Sequence, residues 1–244
     1  ADLNKDLRYD NNRAKLAWFN IDVSLLDNKN LSPPEVYDNN EQKANHYVRT
    51  VYRNELYPNN QEPLANQLFT LDLAYYPEER GPYNYETDAG APGFSKGLRP
   101  DGRLIDPKTR WGGMMRGIET NNFETSNVEY IEFWMMDPFI YDDNHRGGKM
   151  YINLGTVSED ILKDSKMLYE NGLASDASLI DSTVWGVVPK TQPITNTFSN
   201  DANLRTIQDA GFDGLSDVGE QTKFATFINT LNIDPEAKNK IIAD

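Results

Sequence analysis

The chain has 244 residues, with 38 acidic against 24 basic side chains, a formal charge of −14 and no cysteine. That length suffices for one large domain or two small ones with a substantial core. The acidic balance, with no Lys/Arg cluster, argues against nucleic-acid binding. The lack of Cys removes disulfides, thiol catalysis and Cys-ligated zinc without fixing a compartment.

No apolar run reaches the length of a membrane-spanning helix, and no signal peptide opens the chain. The start is polar (ADLNKDLRYDNN) and the end (KNKIIAD) stops in a helical pattern. The segment is therefore expected to belong to something longer.

In chain order, residues 13–22 (RAKLAWFNID) place Ala14, Leu16 and Trp18 on one side of a predicted strand. Residues 25–45, rich in Asn, Asp and Pro, read as a loop. Residues 46–52 (HYVRTVY) form a short strand candidate, although a helix fits there too. Residues 68–76 (LFTLDLAYY) alternate as a strand does.

Residues 77–107 carry so many Gly and Pro residues that no regular element fits. A stretch of that kind reads either as a functional or mobile loop or as a surface connection laid across a sheet by its aromatics.

Residues 127–139 (NVEYIEFWMMDPF) supply the strongest strand signal. Alternation puts Val128, Tyr130, Glu132, Trp134 and Met136 on one face, and Glu129, Ile131, Phe133, Met135 and Asp137 on the other. Both faces are mainly apolar, which predicts a strand covered on both sides and the centre of the core. A turn at 142–148 and a returning strand at 149–156 (KMYINLGT) complete a predicted hairpin.

Ser158 caps a predicted helix whose first turn holds Glu159 and Asp160 and whose stop is Asn171-Gly172. Residues 183–188 are a last strand candidate. Helical patterns follow at 204–208, 220–231 and 235–242, with Pro235 suited to a helix start.

Strands first and helices last predict a mainly β chain with α. The expected architecture is an antiparallel β-sandwich, jelly-roll-like, with a helix after the central hairpin and a helical C-terminal tail. Residues 1–199 would form the sandwich domain, including the 77–107 loop. Residues 200–244 would form a helical appendage.

Candidate chemistry is sparse. His46 and His145 lie far apart and in no metal-ligand spacing, so both read as surface or turn histidines. No GxSxG elbow occurs, and Ser158 reads as a cap. Glu129 and Glu132 fall on opposite strand faces, so they cannot cooperate as a glycosidase pair. RWGGMMRG lacks the features of a phosphate-binding loop, and its glycines suit close backbone approach.

One spacing is sharper. Residues 209–220 (DAGFDGLSDVGE) set Asp209, Asp213, Asp217 and Glu220 at the first, fifth, ninth and twelfth positions of an EF-hand-like loop, with Gly214 at the sixth. Gly211 at the third position offers no side-chain oxygen. A Ca²⁺ site and a metal-free acidic turn between helices both fit. A sugar-stacking platform built from Trp18, Trp111, Trp134 or Trp185 is a further reading, set against core packing of the same rings.

Several separated segments resemble the SprA/Sov family, the giant outer-membrane translocon of the bacterial type IX secretion system. They are residues 13–22 (RAKLAWFNID), 79–86 (ERGPYNYE), 110–139 (RWGGMMRGIETNNFETSNVEYIEFWMMDPF), 147–173, 183–189 (TVWGVVP) and 208–220 (QDAGFDGLSDVGE). Their order and spacing cover most of the chain.

The resemblance implies a part of a very large single-chain β-barrel that passes folded cargo outward and supports gliding motility. This chain would be a soluble cap or plug-like segment between barrel strands, at the cell surface or in the periplasm and not itself membrane-spanning. Its partners would be other secretion-system proteins, secreted cargo and the remainder of the barrel. No catalysis and no certain cofactor are implied. The alternatives are a free-standing surface carbohydrate-binding module and, as a third class, a hydrolase.

Overall fold

The computed structural model describes residues 8–19, 45–47, 49–59, 67–114, 122–125, 127–155, 180–182, 187–190, 215 and 217–243. The chain divides into two compact units. The first comprises Ala1–Phe19, Leu73–Gly117 and Ser158–Asp244, and the second Asn20–Asp72 and Ile118–Val157. No helix among the described residues is long and apolar enough to cross a membrane.

In the first unit, strand β1 (Ala14–Phe19) forms where alternating Ala14, Leu16 and Trp18 predict it. It pairs with β2 (Asp72–Arg80) in a two-stranded sheet. The predicted strand at 68–76 thus exists but runs further toward the C-terminus, past Pro77. β3 (Ile180–Ser182) and β4 (Val187–Pro189) pair antiparallel, with Ile180 opposite Pro189 and Ser182 opposite Val187.

Three helices close the unit: α2 (Asp217–Lys223), α3 (Ala225–Thr230) and α4 (Pro235–Ala243). Pro235 opens α4, where its missing N–H costs nothing. The Asp234 carbonyl accepts the Lys238 N–H at 3.1 Å, and the Asp234 N–H reaches back to the Pro100 carbonyl at 2.9 Å, which ties the helix to the preceding loop. The architecture is therefore mixed α and β, with antiparallel pairing and a helical C-terminal end.

The core of this unit sits where no regular element fits. Leu98 and Leu104 pack with Ala14, Ile228, Leu231, Ile233 and Ala237, and Leu104 is 0 % exposed. Leu98 and Leu104 face each other in an isolated antiparallel bridge. Tyr83, Asn84 and Glu86 are buried as well.

The expectation of a surface connection at 77–107 is thereby corrected, since the segment supplies much of the interior. Gly and Pro exclude a continuous ladder but not burial, provided that other groups satisfy the backbone. Here single backbone bonds do so in part, with Leu104 N–H to Glu78 O at 2.7 Å and Arg99 N–H to Arg103 O at 2.8 Å.

In the second unit, residues 46 and 47 lie in a turn, and Tyr52 makes an isolated bridge to Gln67 before the short helix α1 (Arg53–Leu56). No strand forms among the described residues of the candidate at 46–52. Glu55 starts α1 by accepting the Tyr52 N–H at 2.9 Å, the acidic half of a capping box.

The larger correction concerns residues 127–139. The expected doubly buried strand carries no ladder among the described residues, and its side chains are open: Tyr130 is 75 % exposed, Trp134 62 % and Phe133 53 %. The run at 148–154 is exposed too. Alternation identifies side chains that can share a face, but burial needs a second layer over that face and a neighbour on each edge. Among the described residues neither is present. The predicted helices at 158–171 and 204–208 lie outside the described residues, as does most of the strand candidate at 183–188, whose last two residues open β4.

Candidate functional site

The most constrained place in the first unit is a buried polar cluster built from four separate stretches of chain. The 3₁₀ turn Asp10–Asn12 presents the carbonyls of Asn11 and, just beyond it, Arg13. Asn84 donates to both, at 3.1 and 2.6 Å. Arg80, at the end of β2, donates to the Asn84 and Glu86 carbonyls at 3.0 and 2.8 Å. Arg110 follows the 3₁₀ turn Pro107–Thr109 and donates from Nε to the Ile105 carbonyl at 3.0 Å and from Nη1 to Asn11 O at 2.7 Å. These side chains replace the ladder bonds that the Gly/Pro-rich chain cannot make.

Glu86 supplies the countercharge. Its carboxylate lies 3.5 Å from Arg110 Nη1, with both side chains 0 % exposed. Burial lowers the Arg80 guanidinium to about 10, and the Glu86 charge works against that shift. Glu86 Oε2 and Arg80 Nε are buried without a hydrogen bond, so the ion pair is one of proximity and not of aligned donors. Arg13 adds a guanidinium 5.3 Å from the Trp111 ring centre and 5.7 Å from that of Tyr83. The cluster binds segments of chain together.

Beside it lies a cavity of about 500 Å³ with an apolar wall that includes Phe224, Phe227 and Ile241. The carboxylates on its rim are engaged: Glu78 with Arg99 at 3.1 Å and with Arg103 at 3.2 Å, and Glu79 with Lys15 at 3.5 Å.

Of the predicted metal-site residues, Asp209 and Asp213 lie outside the described residues. Asp217 is the first residue of α2. Glu220 lies in that helix, 8 % exposed, and contributes to the cavity wall. Where the EF-hand pattern expects an exiting helix, α2 is present. Glu220 is the one predicted ligand whose side-chain surroundings are described.

Among its described residues the second unit offers an exposed surface. Tyr47 and Tyr141 meet edge to face at 5.2 Å, Tyr47 donates to the Pro138 carbonyl at 2.9 Å, and the His46 N–H reaches the Tyr141 hydroxyl at 2.8 Å. His145 stacks on Phe139 at 4.5 Å and accepts the Gly147 N–H at Nδ1. Both histidines thus serve turns, as the sequence suggests. On either side of this pinned turn stand the open side chains of Tyr130, Phe133, Trp134, Met135, Met150 and Tyr151. Apolar exposure that dense marks an interaction surface on most proteins.

No protein-family model, curated protein or solved structure matches this chain. The buried cluster is the feature that spacing alone misses, because Arg80, Asn84, Glu86 and Arg110 form no catalytic or metal pattern. A usable signal does exist: charged and amide side chains placed among Gly, Pro and Tyr, where the backbone lacks partners.

Proposed function

We propose that this chain is a non-catalytic structural and interaction segment of a SprA/Sov-type outer-membrane translocon, soluble and exposed at the cell surface or in the periplasm. One observation carries the reading. The segments that resemble that family at 13–22, 79–86 and 110–139 supply Arg13, Arg80, Asn84, Glu86 and Arg110, and these residues meet in one buried cluster. Residues that resemble a family because they hold a fold together are expected to converge in this way.

In this reading the open runs at 128–137 and 148–154 belong to an antiparallel, jelly-roll-like sandwich whose other strands come from elsewhere. The segment shapes the pore entrance and docks secretion-system proteins or cargo. Deleting residues 127–164 from the full-length parent is expected to block cargo secretion while the protein remains stable. Normal secretion by a stably produced deletion variant overturns the proposal.

A second reading, a surface carbohydrate-binding module, is favoured by the solvent-facing rings of Tyr130, Trp134 and Tyr151. A specific micromolar hit on a glycan array, lost in Trp134→Ala, selects it.

A further inference from the structure

We infer that residues 128–137 are a docking strand, completed by β-augmentation with a basic, apolar strand of a different polypeptide. The inference stands on the geometry of this segment and is independent of the translocon reading.

Two separate observations point there. The first is the backbone. Residues 128–137 run on without helix, turn or bend, which leaves an extended course. Val128 donates to Phe123 O at one end, and Phe139 donates to Asp137 Oδ1 at the other. Between them, the N–H and C=O groups of residues 129–137 meet no partner among the described residues. A straight run of open donors and acceptors is the template that another strand reads.

The second observation is the side chains. Phe133, Trp134 and Met135 are consecutive and all exposed. Successive residues of an extended chain point to opposite faces, so both faces of the run are apolar and open. A lipid surface or a helix in a groove covers one face and offers no backbone partners. A strand added to a free edge satisfies the backbone groups on that edge, and its own apolar side chains extend both faces of the run.

Charge selects the occupant. Glu129 and Glu132 project from opposite faces of the run, and each chain carries −14 overall. In-register parallel pairing with a second copy sets each of these glutamates against its equivalent, which is unfavourable. The fitting strand carries Lys or Arg three positions apart, one for each face, among β-branched and apolar residues. Within the chain, the turn pinned by Tyr47, Tyr141 and His145 keeps the run presented.

The test is site-specific photocrosslinking in cells that produce the protein from its own gene. A photoreactive phenylalanine analogue replaces Phe133 or Tyr130 and, as a control, exposed Val218 in the other unit. The cross-linked peptide is sequenced, and its synthetic form is added to the purified chain during amide exchange.

The expected result is one peptide of another polypeptide, with basic residues three apart, that slows exchange of alternate amides within residues 129–137 at least tenfold. Ile131→Pro is expected to abolish the slowing while the melting of the first unit stays unchanged. Cross-links to a second copy, to lipid alone, or no stronger than at position 218 overturn the inference. So does a peptide that binds without slowing exchange. A fitting peptide from a protein unconnected with secretion leaves this inference standing and removes the translocon proposal.

Discussion

The Glu86 carboxylate and the Arg110 guanidinium face each other 3.5 Å apart with neither side chain reaching solvent. Removing Arg110 takes away the carboxylate's ion-pair partner while its desolvation penalty stays. Arg110→Ala is expected to destabilise the first unit by about 3–5 kcal/mol. Arg110→Lys should recover little, because a single ammonium cannot reproduce the fork that holds both Ile105 O and Asn11 O. Denaturant unfolding followed through tryptophan fluorescence reads both variants, and wild-type stability in Arg110→Ala refutes the role given to the cluster.

Gly81 has no room for a side chain. A Cβ there would meet the Ala14 carbonyl oxygen and come within 2.8 Å of the Ala14 carbonyl carbon. The Gly81 N–H is bonded to Arg13 O at 3.1 Å, so the backbone cannot simply swing away. Gly81→Ala is expected to cost about 1–3 kcal/mol through overpacking. Gly93 has φ +84° and nothing within 4 Å, so Gly93→Ala pays only the left-handed conformation, roughly 1 kcal/mol. Thermal melts that rank the two variants the other way contradict the packing described for the loop.

Glu55 is held below its ordinary 4.5, first by the Tyr52 N–H and then by Arg49. A depressed carboxylate stabilises the folded form above its unfolded value, and that stability is lost as pH falls through the folded value. The Glu55 side-chain carbon should therefore titrate below 4.5 by NMR. In Arg49→Ala the midpoint should rise and still stay below 4.5, because the backbone donor remains. A full return to the ordinary value assigns the shift to Arg49 instead.

The acidic loop lacks a side-chain oxygen at Gly211, and Glu220 sits buried in a cavity wall. Adding Ca²⁺ or a chelator is expected to leave the melting temperature unchanged and to give no calorimetric heat. A stabilisation that grows with Ca²⁺ concentration, and is lost in Asp213→Asn, establishes a metal site.

Parts of the fold are legible in the sequence because they depend on local chemistry. Alternating Ala14, Leu16 and Trp18 give β1, and Pro235 marks the start of α4. Two features are not legible, for opposite reasons. Gly- and Pro-rich residues 77–107 signal irregular chain, and they are irregular between the end of β2 at Arg80 and the 3₁₀ turn at Pro107. Burial there depends on Asn84 and Arg110 reaching the carbonyls of Arg13 and Asn11, far along the sequence, and on Arg80 holding the nearby carbonyls of Asn84 and Glu86. Residues 128–137 signal a buried strand, yet nothing among the described residues covers it. The reading of the two histidines as turn residues needed only local context, whereas the Arg80–Glu86–Arg110 cluster needed the third dimension.

The contrast between a buried loop and an open strand is tested most directly by amide exchange on the isolated chain. Arg99, Leu104 and Ile105, whose N–H groups bond within 3.0 Å, should exchange at least a hundredfold slower than unstructured peptides. Residues 129–137 should exchange near the unstructured rate. Equal protection of the two segments, or slow exchange confined to 129–137, contradicts the account.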